Sequence, residues 1–201
     1  MYNCIIDPRR LQEVGKKIYT CPHGKDSIMP TYTLDEYAAL LTRTFTPRFP
    51  RDCRPRAVSD VTDKGIPVME FLLPHPDASQ RSITLSACER RGMVESCSLW
   101  FGEAEIAGAM DPTDAMAAIE EILADRIVAI VRYKNRDAYD NHRKISTAPM
   151  EWLYQLPDDE RELTAMLDKL KKPATFMEKI KGKYTGVFEV YRWSESEVLE
   201  R

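Results

Sequence analysis

Apolar residues recur along this chain with two periods, and the switches between them mark out the elements. Leu34, Ala38, Leu41 and Phe45 return every three or four residues, the spacing that puts side chains on one face of a helix. Thr33 and Glu36 precede and open that run at the spacing of a capping box, and Tyr32 and Tyr37 sit where a hydrophobic staple packs. Pro47 prevents continuation, so the pattern predicts a helix over 34–45. Met116, Ile119, Ile122 and Leu123, behind an Asp111-Pro112 start, predict a helix over 112–124. Leu163, Met166, Leu167 and Leu170 predict another, capped by Asp158 or Asp159 and running to about Lys172. Its acidic start and its lysines at 169, 171 and 172 match the helix macrodipole. Near the N-terminus a short strand over 2–6 leads to an Asp7-Pro8 helix start followed by Leu11, Val14 and Ile18.

The period shortens elsewhere. Ile66–Leu73 is rich in apolar residues and reads as a strand, with Pro67 placing it at a sheet edge or making it the strand's start. Ser82–Arg90 and Met93–Phe101 flank Arg91-Gly92 and predict a hairpin. A turn at 91–92 sets Arg90 against Met93 and Thr84 against Leu99, with Cys88 and Cys97 diagonal on one face. The run from Ile127 to Val131 is continuously apolar, so Arg126–Tyr133 is expected inside a sheet with both faces covered. Residues 134–148 are polar and read as a loop with one helical turn, and Trp152–Leu156 as a short strand. In Lys183–Trp193, Tyr184, Phe188 and Val190 oppose Val187, Tyr191 and Trp193, with the last two expected in the core.

Strands outnumber helices and one pair is a hairpin. The expectation is an α+β fold with a mostly antiparallel sheet and about four helices packed on it. The chain reads as a single domain over 1–201, with 1–32 the stretch most readily set apart as an N-terminal appendage.

Composition adds exclusions. At 201 residues, with 43% hydrophobic and 30% charged, the chain is long enough for a core without disulfides or metal. It carries 29 basic and 32 acidic residues, a net charge of −3, which does not call for a polyanionic partner. No run approaches the length of a membrane span, and the first ten residues lack the order of a secretory signal, so no membrane partner is expected. Five scattered cysteines, at 4, 21, 53, 88 and 97, suggest a reduced, cytoplasmic protein.

Candidate chemistry is sparse. Cys4, Cys21 and His23 lack the ligand spacing of zinc, and a loop cysteine beside a surface histidine explains them. His75 and Asp77 in a proline-rich turn, and Asp137, Asp140 and His142 in a polar loop, are the residues from which a scattered active site or cation site would be assembled. No phosphate-cradling glycine loop, serine elbow or zinc-protease motif is present, so no catalytic residue, metal or cofactor is assigned.

The basic groups carry more. Arg43, Arg48, Arg51, Arg54 and Arg56 surround one acid, Asp52, in a stretch stiffened by Pro47, Pro50 and Pro55. That stretch, Thr46–Arg56, reads as an extended connector presenting arginine forks to carboxylates or phosphates. A second group, Arg132, Lys134, Arg136, Arg143 and Lys144, is interleaved with Tyr133 and Tyr139. Arginine with aromatics is the composition of protein interfaces. The reading is therefore a non-catalytic protein-binding module of inhibitor, immunity or adaptor type, with Arg48, Arg51, Arg54, Arg56 and Tyr139 as binding residues. The first alternative is a nucleic-acid-associated protein using 43–56, and the second a hydrolase-like enzyme built on His75, Asp77 and His142.

Overall fold

Helix starts are written in the sequence, and the structure uses them. In a computed structural model, which describes residues 31–51, 53–62, 64–76, 81–141, 151–182 and 184–201, α1 spans Leu34–Phe45 behind Thr33. The Thr33 hydroxyl accepts from the Glu36 N–H at 3.2 Å, and the Glu36 carboxylate accepts from the Thr33 N–H at 2.9 Å. Both halves of the capping box are thus closed. A 3₁₀ turn, Thr46–Arg48, follows directly, so the first part of the expected connector is helical. Pro47 is tolerated in its first turn, where no amide partner is required.

The remaining elements are β1 (Arg56–Val61), β2 (Pro67–Leu73), β3 (Ile83–Arg90), β4 (Met93–Phe101), β5 (Ala104–Met110), α2 (Pro112–Leu123), β6 (Ile127–Tyr133), α3 (Arg136–Asp140), β7 (Glu151–Gln155), α4 (Glu160–Leu170), α5 (Phe176–Lys181), β8 (Val187–Tyr191) and β9 (Ser196–Glu200). The fold is α+β and antiparallel, but the strands divide into two sheets, ordered β1-β2-β3-β4-β5 and β7-β6-β8-β9. Five α-helices lie among the described residues. The expected elements over 2–18 fall outside those residues.

Alternation within β6 shows why two sheets are needed. Ile127, Ala129, Val131 and Tyr133 enter a core shared with α1, α2 and the inner face of the five-stranded sheet. Val128 and Ile130 point the other way, into a second core with Leu163, Met166 and Leu170 of α4. All seven β6 residues are buried, as its unbroken apolar run requires. β8 divides likewise, Val187 and Tyr191 to the first core, Phe188 and Val190 to the second.

The hairpin needs a correction. Arg90 faces Met93 as expected, through a turn in which Arg91 has φ 56° and Gly92 φ 80°. A bulge between Cys88 and Glu89 then shifts the register by one. Thr84 therefore faces Trp100, not Leu99, and Cys97 faces Ala87. Because a one-residue slip exchanges faces, Cys97 is buried in the core while Cys88 lies on the opposite side against Ser96. The α4 cap is also different. Asp159 occupies the cap position, but its carboxylate accepts from the Gln155 N–H at 2.8 Å, and the helix ends at Leu170, before Pro173.

Candidate interaction surface

The five-stranded sheet ends in two edge strands that meet different surroundings. The β5 edge runs beside the second sheet. The Tyr191 hydroxyl accepts from the Ala104 N–H at 3.1 Å and donates to the Phe101 carbonyl at 2.8 Å, and the Glu151 carboxylate accepts from the Glu105 N–H at 3.1 Å. Side chains of β8 and β7 thus cover backbone groups at that edge. At the other end, all six residues of β1 are exposed, including Val58 at 55% and Val61 at 59%. Among the described residues β1 pairs with β2 alone.

The arginine segment leads into this bare strand. Pro55 is buried, and the Cys53 thiol donates to the Pro74 carbonyl at 3.3 Å, so the segment is fastened beside the end of β2. Arg51, Arg54 and Arg56 are exposed and make no ion pair among the described residues. Arg56 is itself the first residue of β1. Arg48 behaves differently. It sits in the 3₁₀ turn, pairs with Glu120 of α2 and lies over the Phe45 ring, 5.5 Å from its centroid. The Glu120 carboxylate holds its guanidinium more firmly protonated than usual. Tyr139 is carried by α3 against β6, edge-on to Tyr133 at 5.1 Å, with the Arg136 guanidinium 5.1 Å from its ring. Burial raises its hydroxyl pKa. The structure therefore gathers Arg51, Arg54 and Arg56 at one edge, commits Arg48 to a helix–helix tie, and sets Tyr139 in the other sheet's layer.

The scattered-site residues fare as follows. His75 is 8% exposed, and its Nε2 lies 2.7 Å from the Trp193 carbonyl while its ring meets Trp193 edge-on at 4.6 Å. With a carbonyl as partner, Nε2 must carry the proton. Arg81, which sequence reasoning missed, is equally buried and donates to the same carbonyl at 2.9 Å. Two side-chain N–H donors on one carbonyl tie the segment after β8 to the first sheet. Asp77 and His142 lie outside the described residues, as do Cys4, Cys21, His23, Arg143 and Lys144. Arg132 is buried and donates to the Thr185 carbonyl at 2.6 Å, so within the second basic group it is structural.

Glu189 was also missed as a polar centre. It is buried and accepts from the Tyr133 hydroxyl at 3.1 Å. Burial, reinforced by the Glu189 charge, pushes the Tyr133 and Tyr191 hydroxyls far above the usual range for tyrosine. Its only sequence signal was an acid alternating with Val187 and Tyr191 on the core face. A depression of about 300 Å³ at the tip of the β3–β4 hairpin is lined by Arg90, Arg91, Met93, Val94 and Glu95, of which Arg90 and Glu95 form an ion pair at 3.0 Å. Among the described residues no three His, Cys, Asp or Glu side chains converge as metal ligands, and no helix is long and apolar enough to cross a membrane. Cys53, Cys88 and Cys97 are free thiols, and burial pushes Cys97 up to about 12. No family model, curated protein or solved structure matches this chain.

Proposed function

We propose that this protein is a non-catalytic protein-binding module that receives an extended, acidic segment of its partner along β1. The observation that carries this reading is the bare β1 edge adjoining three exposed arginines without ion-pair partners among the described residues. An open edge strand offers a row of backbone donors and acceptors to another chain, and proteins normally blunt such an edge. Strand addition would supply main-chain hydrogen bonds, with Val58 and Val61 as apolar contacts. Arg51, Arg54 and Arg56 would select carboxylates and set the register, because a guanidinium fork takes both oxygens of a carboxylate. The fastening at Pro55 and Cys53 lowers the ordering entropy lost on binding.

The test is capture from host lysate by the immobilised chain after nuclease treatment. The chain is expected to retain a protein that an Arg51→Ala/Arg54→Ala/Arg56→Ala variant loses at least about ten-fold, a change of about 1.4 kcal/mol. The variant's melting temperature is expected to stay unchanged. Capture that disappears with nuclease assigns the arginines to nucleic acid instead. Capture that the triple variant leaves intact removes β1 and its arginines from the account.

A further inference from the structure

Short helix α5 is turned the wrong way round for a packed helix. Its apolar side chains face solvent: Phe176 is 77% exposed, Met177 56% and Ile180 64%. Its acid is the group that faces inward. The Glu178 carboxylate accepts from the Thr175 N–H at 2.9 Å, closing a capping box, and pairs with Arg201 at 2.8 Å and Lys169 at 3.5 Å. The Arg201 side chain is 3% exposed and also donates to the Lys172 carbonyl at 2.7 Å. These bonds lock the helix to the body by its polar side and hold the Glu178 carboxyl at about 2, the Thr175 N–H being the first cause. The exposed face is therefore a fixed feature of the surface.

The stretch of chain that carries it is basic. Between 169 and 183 the sequence has six lysines and one acid, and that acid is Glu178. Lys169 covers the Tyr184 ring at 3.3 Å, and Lys171 lies 3.6 Å from Glu197 of β9. Lys172, Lys179 and Lys181 are exposed and make no ion pair among the described residues. Apolar side chains standing clear of the surface among unneutralised lysines are complementary to one kind of partner, an anionic surface with an apolar layer beneath it. Against the sequence expectation of no membrane partner, which rested on the absence of a span, we propose that α5 docks this protein peripherally on an anionic lipid bilayer, with Phe176, Met177 and Ile180 entering the headgroup layer and the lysines holding anionic headgroups. Neither signal is strong alone: three short insertions give reversible binding, and each nearby lysine adds about five-fold. A single short helix offers far less area than a specific protein interface of roughly 1,200 Å² requires, which favours the bilayer over a protein groove.

The test is co-sedimentation of the full chain with phosphatidylcholine vesicles, with and without about one-third phosphatidylserine. Binding is expected only to the anionic vesicles and to fall steeply with salt. A Phe176→Ser/Met177→Ser/Ile180→Ser variant is expected to lose it. Lys179→Gln/Lys181→Gln is expected to weaken it on the order of twenty-fold. All these positions are exposed, so thermal unfolding is expected to be unchanged, which separates lost docking from lost fold. Equal binding to neutral vesicles overturns the role of the lysines and with it the proposal. No sedimentation with either vesicle overturns it too, and leaves the face to a protein partner. So does concentration-dependent dimerisation, seen by gel filtration and abolished by the triple serine variant, which assigns the face to a second copy of the chain. Because α5 and β1 are separate surfaces, none of these outcomes bears on the strand-addition reading.

Discussion

β5 and β1 close opposite ends of one sheet, yet one edge is built over and the other is left open. At β5 the second sheet supplies the cover, through the Tyr191 hydroxyl on Ala104 and Phe101 and the Glu151 carboxylate on Glu105. At β1 all six strand residues, Arg56 among them, are exposed, as are Arg51 and Arg54 just before it. The difference separates two uses of polar groups. Buried ones hold the two sheets together and are costly to disturb, whereas exposed ones contribute little to stability and are free to serve a partner.

The comparison breaks most easily at its covered end. Tyr191→Ala removes a fully packed aromatic and strips both of its backbone partners, so denaturant unfolding is expected to show a loss of about 3–5 kcal/mol. A smaller effect, at alkaline pH, sharpens the same point. Tyr133 and Tyr191 have folded pKa values above their unfolded value, so their stabilising contribution is complete below about pH 10 and is lost as pH rises beyond it. Stability measured across that range is expected to fall more steeply in the native chain than in a Tyr191→Phe variant. Next in size is Thr33→Ala, which removes the acceptor for the Glu36 N–H and is expected to cost about 1 kcal/mol, read from the denaturation midpoint. Least is expected at the open edge, where Arg51→Ala/Arg54→Ala/Arg56→Ala should shift unfolding by no more than about 0.5 kcal/mol.

Both edge strands escaped sequence reading, for opposite reasons. Arg56–Val61 follows a proline- and arginine-rich stretch and has no alternating apolar face to announce it, because an edge strand exposed on both sides needs none. Ala104–Met110 holds three alanines, a glycine and a glutamate, all weak strand formers, beside Ile106 and Met110, and packing against the second sheet decides its fate. The helices α1 and α2 were legible because their caps are local: Thr33 with Glu36, and Asp111, whose carboxylate accepts from the Thr113 N–H at 2.7 Å. β6 was legible because every residue in it is buried. The bulge at Cys88 was not, since nothing in an alternating pattern says where one residue is added. At the candidate site, the exposure of Arg51, Arg54 and Arg56 followed from their number and the prolines. The commitment of Arg48 to Glu120 depends on α2 lying opposite, 72 residues away in sequence, and no local pattern carries that.

The strand-addition account is tested most directly by amide hydrogen exchange on the chain alone and in complex with the protein it captures. The account predicts slowed exchange in Arg56–Val61 on binding, in outward-facing amides other than that of Val61, which already donates to the Asp60 carboxylate at 2.7 Å, with little change along β5. Protection confined to other elements, with β1 exchanging as it does in the free protein, would contradict it.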